Sequence, residues 1–403
     1  MNKKPTQVKK RIDVLDVYRG FAILGIFVVN IVIMNSTFLN QDEFAKQWTS
    51  TIDQVSNSIL QLFFYTKFFP IFSLLFGLGI SMQALKLLEN NTLRFSFFAR
   101  RMFCLFIIGA LHIILLWSGD VVHLYAILGL FTISLLRVSN KILLGLAVLL
   151  LLFPFYDQLL AFFFELIQFK PENYIQEYTG ETVNQIIKNG TYVQSVRLRL
   201  LEYLANTPML FGFLAPIALS MFVLGLYLGK NKIYEKLPTF LAKIKKPVVW
   251  IALLTNVYRI LFLFVLTKLD CYKIEWIRTG FIKLMVIADI IMGLFYLWLI
   301  GWLWYTTSLK KLLSPLRYAG RMALTNYIMQ SFIGLLIFSS VGGRLYETLS
   351  PLETLLTAVV VFVVQVFLSK IWLTYFKYGP LEWVWRCFTY KKLLPIKKQG
   401  YKQ

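Results

Sequence analysis

The sequence predicts an all-α fold: a polytopic transmembrane helix bundle of about ten helices, with N-terminus and C-terminus cytoplasmic. Three observations carry this prediction. Hydrophobic residues fill 58% of the 403 positions and charged residues only 15%, where a soluble domain carries roughly a quarter charged. Apolar runs near the ~20 residues that cross a hydrocarbon core recur along the whole chain. The polar segments between them alternate between strongly basic and weakly acidic, the pattern expected when basic segments resist translocation.

The predicted spans are 17–39, 58–81, 101–118, 120–137, 141–164, 207–229, 247–267, 280–304, 322–341 and 355–377, drawn from hydropathic runs and their charged borders. The first run is of span length and lacks a small-residue cleavage site after a short apolar core, so it reads as a retained helix. Residues 1–11, 82–101, 137–141, 230–246, 310–321 and 386–402 are the basic, cytoplasmic segments. Together the runs predict one integral membrane domain over 1–403. Six spans and an outer segment (165–206) lie in 1–229, and four spans and an interfacial tail (379–403) lie in 230–403.

The net charge of +22 therefore reports topology. Nucleic-acid binding needs a basic patch on a folded soluble face, and the charge here is spread over membrane borders, so no nucleic-acid partner is expected. The expected partner is the lipid bilayer. Cys104, Cys271 and Cys387 have neither disulfide nor CxxC metal spacing. Residues 165–206 are too polar to span and read as a helical cap over the outer mouth. Residues 379–390 (GPLEWVWRCFTY) read as a short interfacial helix, with Glu382 and Arg386 one turn apart in the favourable acid-before-base order.

Ionisable groups inside a bilayer are costly unless paired or facing a cavity, so each is a candidate for function. Asp16 and Arg19 open the first span three residues apart, and Asn30 lies beyond its middle. Lys67 falls midway along the second run before Phe68, Phe69 and Pro70, where a bent or broken helix and a cavity are expected. Arg259, Lys283, Asp289 and Lys370 read as structural, with Asp289 pairing with Arg259 across helices. Arg321, Asn326 and Gln330 begin the ninth run, and the last two share a face that should turn inward.

The tight turn in LHIILLWSGDVVHLYAILG holds both histidines of the chain. His112 lies about six residues before the turn and Asp120 lies in it, with His123 and Tyr125 on the returning helix. A carboxylate within reach of an imidazole is what a general base needs. Asp120 is equally placed to cap the returning helix. No third strong ligand accompanies them, so no metal site is expected.

These residues carry a resemblance. LDVYRGFAILGIFVVNI, FPIFSLLFGLG, LHxxLLWxGD, GRMALTNYIMQS and GPLEWVWR resemble the YeiB family of bacterial membrane proteins, whose C-terminal half is the domain of unknown function 418. The resemblance covers essentially the whole chain. It marks Asp16, Arg19, Asn30, Lys67, His112, Asp120, Tyr125, Arg321, Asn326, Gln330, Glu382 and Arg386, and it implies the bacterial inner membrane.

The first two spans are also distantly similar to transmembrane acyltransferases such as heparan-α-glucosaminide N-acetyltransferase. That similarity implies transfer of an acyl group from cytoplasmic acyl-CoA, as co-substrate and not a bound cofactor, to an envelope glycan or lipid. Those enzymes place their catalytic histidine in the loop after the first span, and residues 35–57 here contain none. His112 with Asp120 would have to serve as the base, with Arg19 and Lys67 holding donor phosphates or the acyl oxyanion. The other readings are a transporter or flippase and a non-catalytic membrane assembly partner.

Overall fold

The computed structural model describes residues 12–398. The basic segment 1–11 and the end of the tail, 399–403, lie outside the described residues. Helices dominate, and among the described residues the one β-type contact is an isolated bridge between Phe376 and Lys397. Each predicted run corresponds to helix, although four depart from a simple span.

The first helix, α1 (Asp13–Asn35), is buried along most of its length and packs against five later helices. The second run is two helices. After α2 (Gln41–Gln47), α3 (Thr51–Phe63) and α4 (Phe68–Glu89) are joined through a left-handed Thr66 with φ 64°. The break thus precedes Pro70, which sits in the first turn of α4, where a missing N–H leaves no bond unmade. Next come α5 (Phe95–Leu115), α6 (Val122–Ser134), α7 (Asn140–Leu152) and α8 (Tyr156–Leu166).

The predicted span 141–164 is not straight: α7 and α8 meet at 79°, with Pro154 in the three-residue break. The runs predicted at 120–137 and 322–341 are helical over Val122–Arg137 and Ala323–Phe338. Each is about 24 Å long at 1.5 Å per residue, short of a ~30 Å core. The seven other runs form helices long and apolar enough to cross a membrane.

The outer segment folds as α9 (Gly180–Asn189) and α10 (Tyr192–Ala205), the latter opened by a capping box between Thr191 and Gln194. A π-helical turn, Met209–Leu214, leads into α11 (Ala215–Lys230), which lies along α4. The remaining helices are α12 (Leu237–Lys243), α13 (Lys245–Phe264), α14 (Glu275–Thr306), α15 (Lys310–Leu313), α16 (Leu316–Arg321), α17 (Ala323–Phe338), α18 (Pro351–Tyr375) and α19 (Pro380–Tyr390).

Packing explains a glycine in each of two recognisable sequence motifs. Gly20 follows Arg19 in the first motif and Gly320 precedes Arg321 in the fourth, and these two glycines bring α1 and α16 into backbone contact. A Cβ on Gly20 would overlap the carbonyl of Leu316, and one on Gly320 would overlap that of Asp16. The basic connecting segments are gathered at one end of the bundle by contacts between Asp13 and Arg317, Glu89 and Lys232, and Arg100 and the carbonyl of Thr389.

Candidate functional site

At the opposite end from those basic segments, a cavity of about 440 Å³ opens between α1, the α3–α4 break, the α5–α6 turn, α10, the π-helical turn and α17. Its walls are mainly apolar, with Ile26, Val29, Phe68 and Phe213 among them. Asn30, Asp120, Tyr203, Asn206 and Tyr327 supply polar groups. An apolar chamber with a few converging polar groups is the usual form of a small-molecule site.

Asp120 organises one wall. Its Oδ1 lies 2.8 Å from Nδ1 of His112, so the expected pair is present. Its Oδ2 accepts from the backbone N–H of His123 at 3.0 Å and contacts Nδ1 of the same residue at 2.9 Å. Asp120 therefore caps α6 and orients two imidazoles at once. Burial opposes its charge, but hydrogen bonds from both histidines outweigh that and hold the carboxyl well below the usual carboxylate range.

With Asp120 ionised, each Nδ1 is assigned the proton and each Nε2 becomes an acceptor. Nε2 of His123 lies 2.9 Å from the hydroxyl of Tyr203, which lines the cavity. Nε2 of His112 has no hydrogen-bond partner, and its ring packs against that of Tyr327. His112 is buried and does not line the cavity. The imidazole with a path to the chamber is that of His123, through Tyr203.

Lys67 is not a cavity residue either. It is fully buried, and its ammonium contacts the carbonyls of Gln61 at 3.0 Å and Tyr65 at 2.8 Å and the carboxylate of Asp289 at 2.8 Å. Arg259 reaches the same carboxylate at 2.7 Å, as expected, and donates to the carbonyl of Leu62. The two cations satisfy the carbonyl end of α3, which the break would otherwise leave orphaned away from water. The three donors of Lys67 are thereby engaged, which corrects the expectation that it holds a donor phosphate or an oxyanion.

Other candidates are tied into the scaffold. Tyr125 is buried against Ser73, hydroxyl to hydroxyl at 2.6 Å. Asn326 bonds Ser369 at 3.0 Å and Gln330 bonds Gln365 at 2.9 Å, so this inward face joins α17 to α18. Glu382 does not pair with Arg386. Its Oε1 accepts the N–H groups of Leu324 at 2.7 Å and Thr325 at 3.1 Å, capping α17 from α19. The open N–H groups and dipole of a helix N-terminus favour a carboxylate, and Glu382 takes them rather than the half-buried Arg386 on its own helix. Arg386 lies over the ring of Tyr378.

Asp16 and Arg19 form the expected pair at 2.8 Å. Arg19 and Arg386 both act electrostatically on Arg101, which stacks on Trp385, so three guanidinium groups gather near the basic end. Arg321 is the last residue of α16. Among the described residues, no group of three or more His, Cys, Asp or Glu side chains is placed to hold a metal ion.

His123, Tyr203 and Glu202 are the site residues that sequence reasoning did not select. His123 was open to detection, since it lies three residues after the capping aspartate. Tyr203 and Glu202 lie some eighty residues away, with no local signal to join them to the turn.

Fold and site together define an all-α protein with multiple apolar helices and a chamber lined by Asp120 and Tyr203, which the buried His123 joins. A family described as protein of unknown function (DUF418) matches residues 228–392. Along its length the chain is similar to the uncharacterized protein YxaH of Bacillus subtilis (strain 168), 30% identical with 98% of each chain covered. It is also similar to an uncharacterized 39.9 kDa protein in the amylase 3' region of Bacillus acidopullulyticus, 27% identical with 97% of each chain covered. YeiB of Escherichia coli (strain K12) is 28% identical, with 94% of this chain and 97% of YeiB covered. The chain belongs to the YeiB family. No solved structure matches it.

Proposed function

We propose that the protein is a membrane acyltransferase that takes an acyl group from acyl-CoA and passes it to an envelope glycan or lipid held in the chamber. The observation that carries this reading is the relay from Asp120 through His123 to the cavity hydroxyl of Tyr203. In this reading the basic segments face the cytoplasm together with Arg19, Arg101 and Arg386, and the chamber opens on the outer side of the bacterial cell membrane, as the alternation of basic segments supports. Arg19 and Asn30 are about 16 Å apart along α1, so a donor with its phosphates at the arginines reaches the chamber through its extended arm.

In the reaction, the acceptor attacks the thioester carbonyl as its proton passes to the Tyr203 oxygen and the Tyr203 proton passes to Nε2 of His123. Asp120 supports the resulting imidazolium, with His112 holding the other carboxylate oxygen. The acceptor–carbonyl bond forms, the carbon–sulfur bond breaks, and the proton returns through Tyr203 to the leaving thiolate. Asn30 and Asn206 are placed to orient the bound molecule.

The test is acyl-CoA binding and thiol release by purified protein in proteoliposomes. Arg19→Ala should weaken binding, and Tyr203→Phe should leave binding intact while removing thiol release. Absence of stabilisation by any acyl-CoA would overturn the proposal.

One observation favours a transporter as a second reading. The discontinuous α3–α4 segment lines the chamber with Tyr65 and Thr66, and interrupted helices recur at transport sites. In that case the ligand crosses the membrane with no carbon–sulfur bond broken.

A further inference from the structure

Beside the chamber, and sharing Phe38 and Asn206 with it, lies a second pocket of about 270 Å³. Glu202 forms part of its lining. The residue is 7% exposed; its Oε2 accepts from the hydroxyl of Ser118 at 3.0 Å, while its buried Oε1 has no hydrogen-bond partner. Glu172 adds a second carboxylate, and no basic side chain lines the pocket. Arg199, one turn earlier on α10, is engaged with the Ile114 carbonyl at 3.3 Å and the face of Tyr192.

We propose that this pocket is the head-group subsite for an amphiphile bearing a primary ammonium group, whose chain occupies the larger chamber. Two carboxylates and the Asn206 side chain, with no cation among the lining, select N–H donors and reject phosphate or carboxylate heads. A buried carboxylate oxygen with no partner is costly, and an ammonium satisfies it with a charge-assisted bond. The two spaces adjoin at Phe38 and Asn206, which gives the head and the tail of one molecule a place on either side of these residues. Burial also pushes the Glu202 carboxyl up to about 7, outweighing the opposing influence of Ser118, Thr37 and the Arg199 charge. The inference concerns binding, and it stands whether the bound molecule is acylated or carried.

The test is titration of the purified full-length protein in non-ionic detergent with dodecylamine, dodecanol and dodecyltrimethylammonium, followed by tryptophan fluorescence. Wild type should bind dodecylamine about ten-fold or more tighter than the other two, the factor of a single charge-assisted bond. Glu202→Gln should remove that preference while dodecanol binding is unchanged, which also reports a folded chamber. Equal binding of the three probes by wild type, or a preference retained in Glu202→Gln, overturns the proposal. Should Glu202→Gln not fold, Asn206→Ala decides: the preference must fall by about three-fold or more, and an unchanged preference overturns it.

Discussion

The hydroxyl of Tyr203 lies 2.9 Å from Nε2 of His123, joining the outer helix α10 to the first turn of α6. Eighty residues separate the two in sequence, yet the contact puts a titratable hydroxyl on the chamber wall with an oriented imidazole behind it. Tyr203→Phe keeps the ring and removes that hydroxyl. Thiol release from acyl-CoA should fall about 10²- to 10⁴-fold, the range of general acid–base contributions. The thermal midpoint should move little.

Asp120 has a different signature. Its removal strands two imidazoles and the His123 N–H in a dry interior, so Asp120→Ala should lower unfolding free energy by about 3–5 kcal/mol. Chemical denaturation in mixed micelles would measure it. A loss under about 1 kcal/mol would mean that water already reaches the cluster.

Gly109 faces that cluster. A Cβ on it would overlap the backbone nitrogen of His123 and crowd Asp120. Gly109→Ala should therefore push α6 away from α5, costing about 1–3 kcal/mol as overpacking. It should lose thiol release along with stability, whereas Tyr203→Phe loses release alone.

Glu202 gives a pH dependence of stability. Its folded value of about 7 lies above the ordinary 4.5, so the folded state holds its proton more tightly than the unfolded chain does. The contribution is fully present below the ordinary value and is lost as pH rises through the window to about 7, at roughly 1.4 kcal/mol per unit. Melting curves from pH 4.5 to 7.5 should show wild type losing stability relative to Glu202→Gln. Parallel curves would show that the carboxyl is not desolvated.

The Lys67–Asp289–Arg259 group should behave as a unit. Asp289→Asn leaves two buried cations without their shared charge and should cost about 3–5 kcal/mol. Lys67→Met should be milder, because Arg259 retains the carboxylate. Expression level and melting in detergent would rank the two.

Hydropathy made the helical runs legible because each apolar stretch is bounded by charge. It could not show the 79° turn at Pro154, since α8 remains apolar after it leaves the direction of α7. The His112–Asp120 pair was legible because a tight turn folds nearby residues together. The role of His123 is not legible in sequence because its position also suits an ordinary first turn of α6, and only the capping geometry brings its ring back over Asp120. The Arg259–Asp289 pair could be inferred from isolated charges in apolar runs. Lys67 joins them because the break before α4 turns its ammonium toward α14. The spacing of Glu382 and Arg386 was misleading because it describes an isolated helix, whereas Glu382 finds the open N-terminus of α17.

The shortness of α6 and α17 bears on the lipid around them. The runs Val122–Arg137 and Ala323–Phe338 each offer about 24 Å to a core of about 30 Å; Val121, just before the first, and Tyr327, in the second, line the chamber. Lipid tails beside them must compress or tilt, at a fraction of a kcal/mol per Å of mismatch. The chamber wall is thus mechanically coupled to membrane thickness: shorter-chain lipids relax it, and longer-chain or sterol-stiffened bilayers load it.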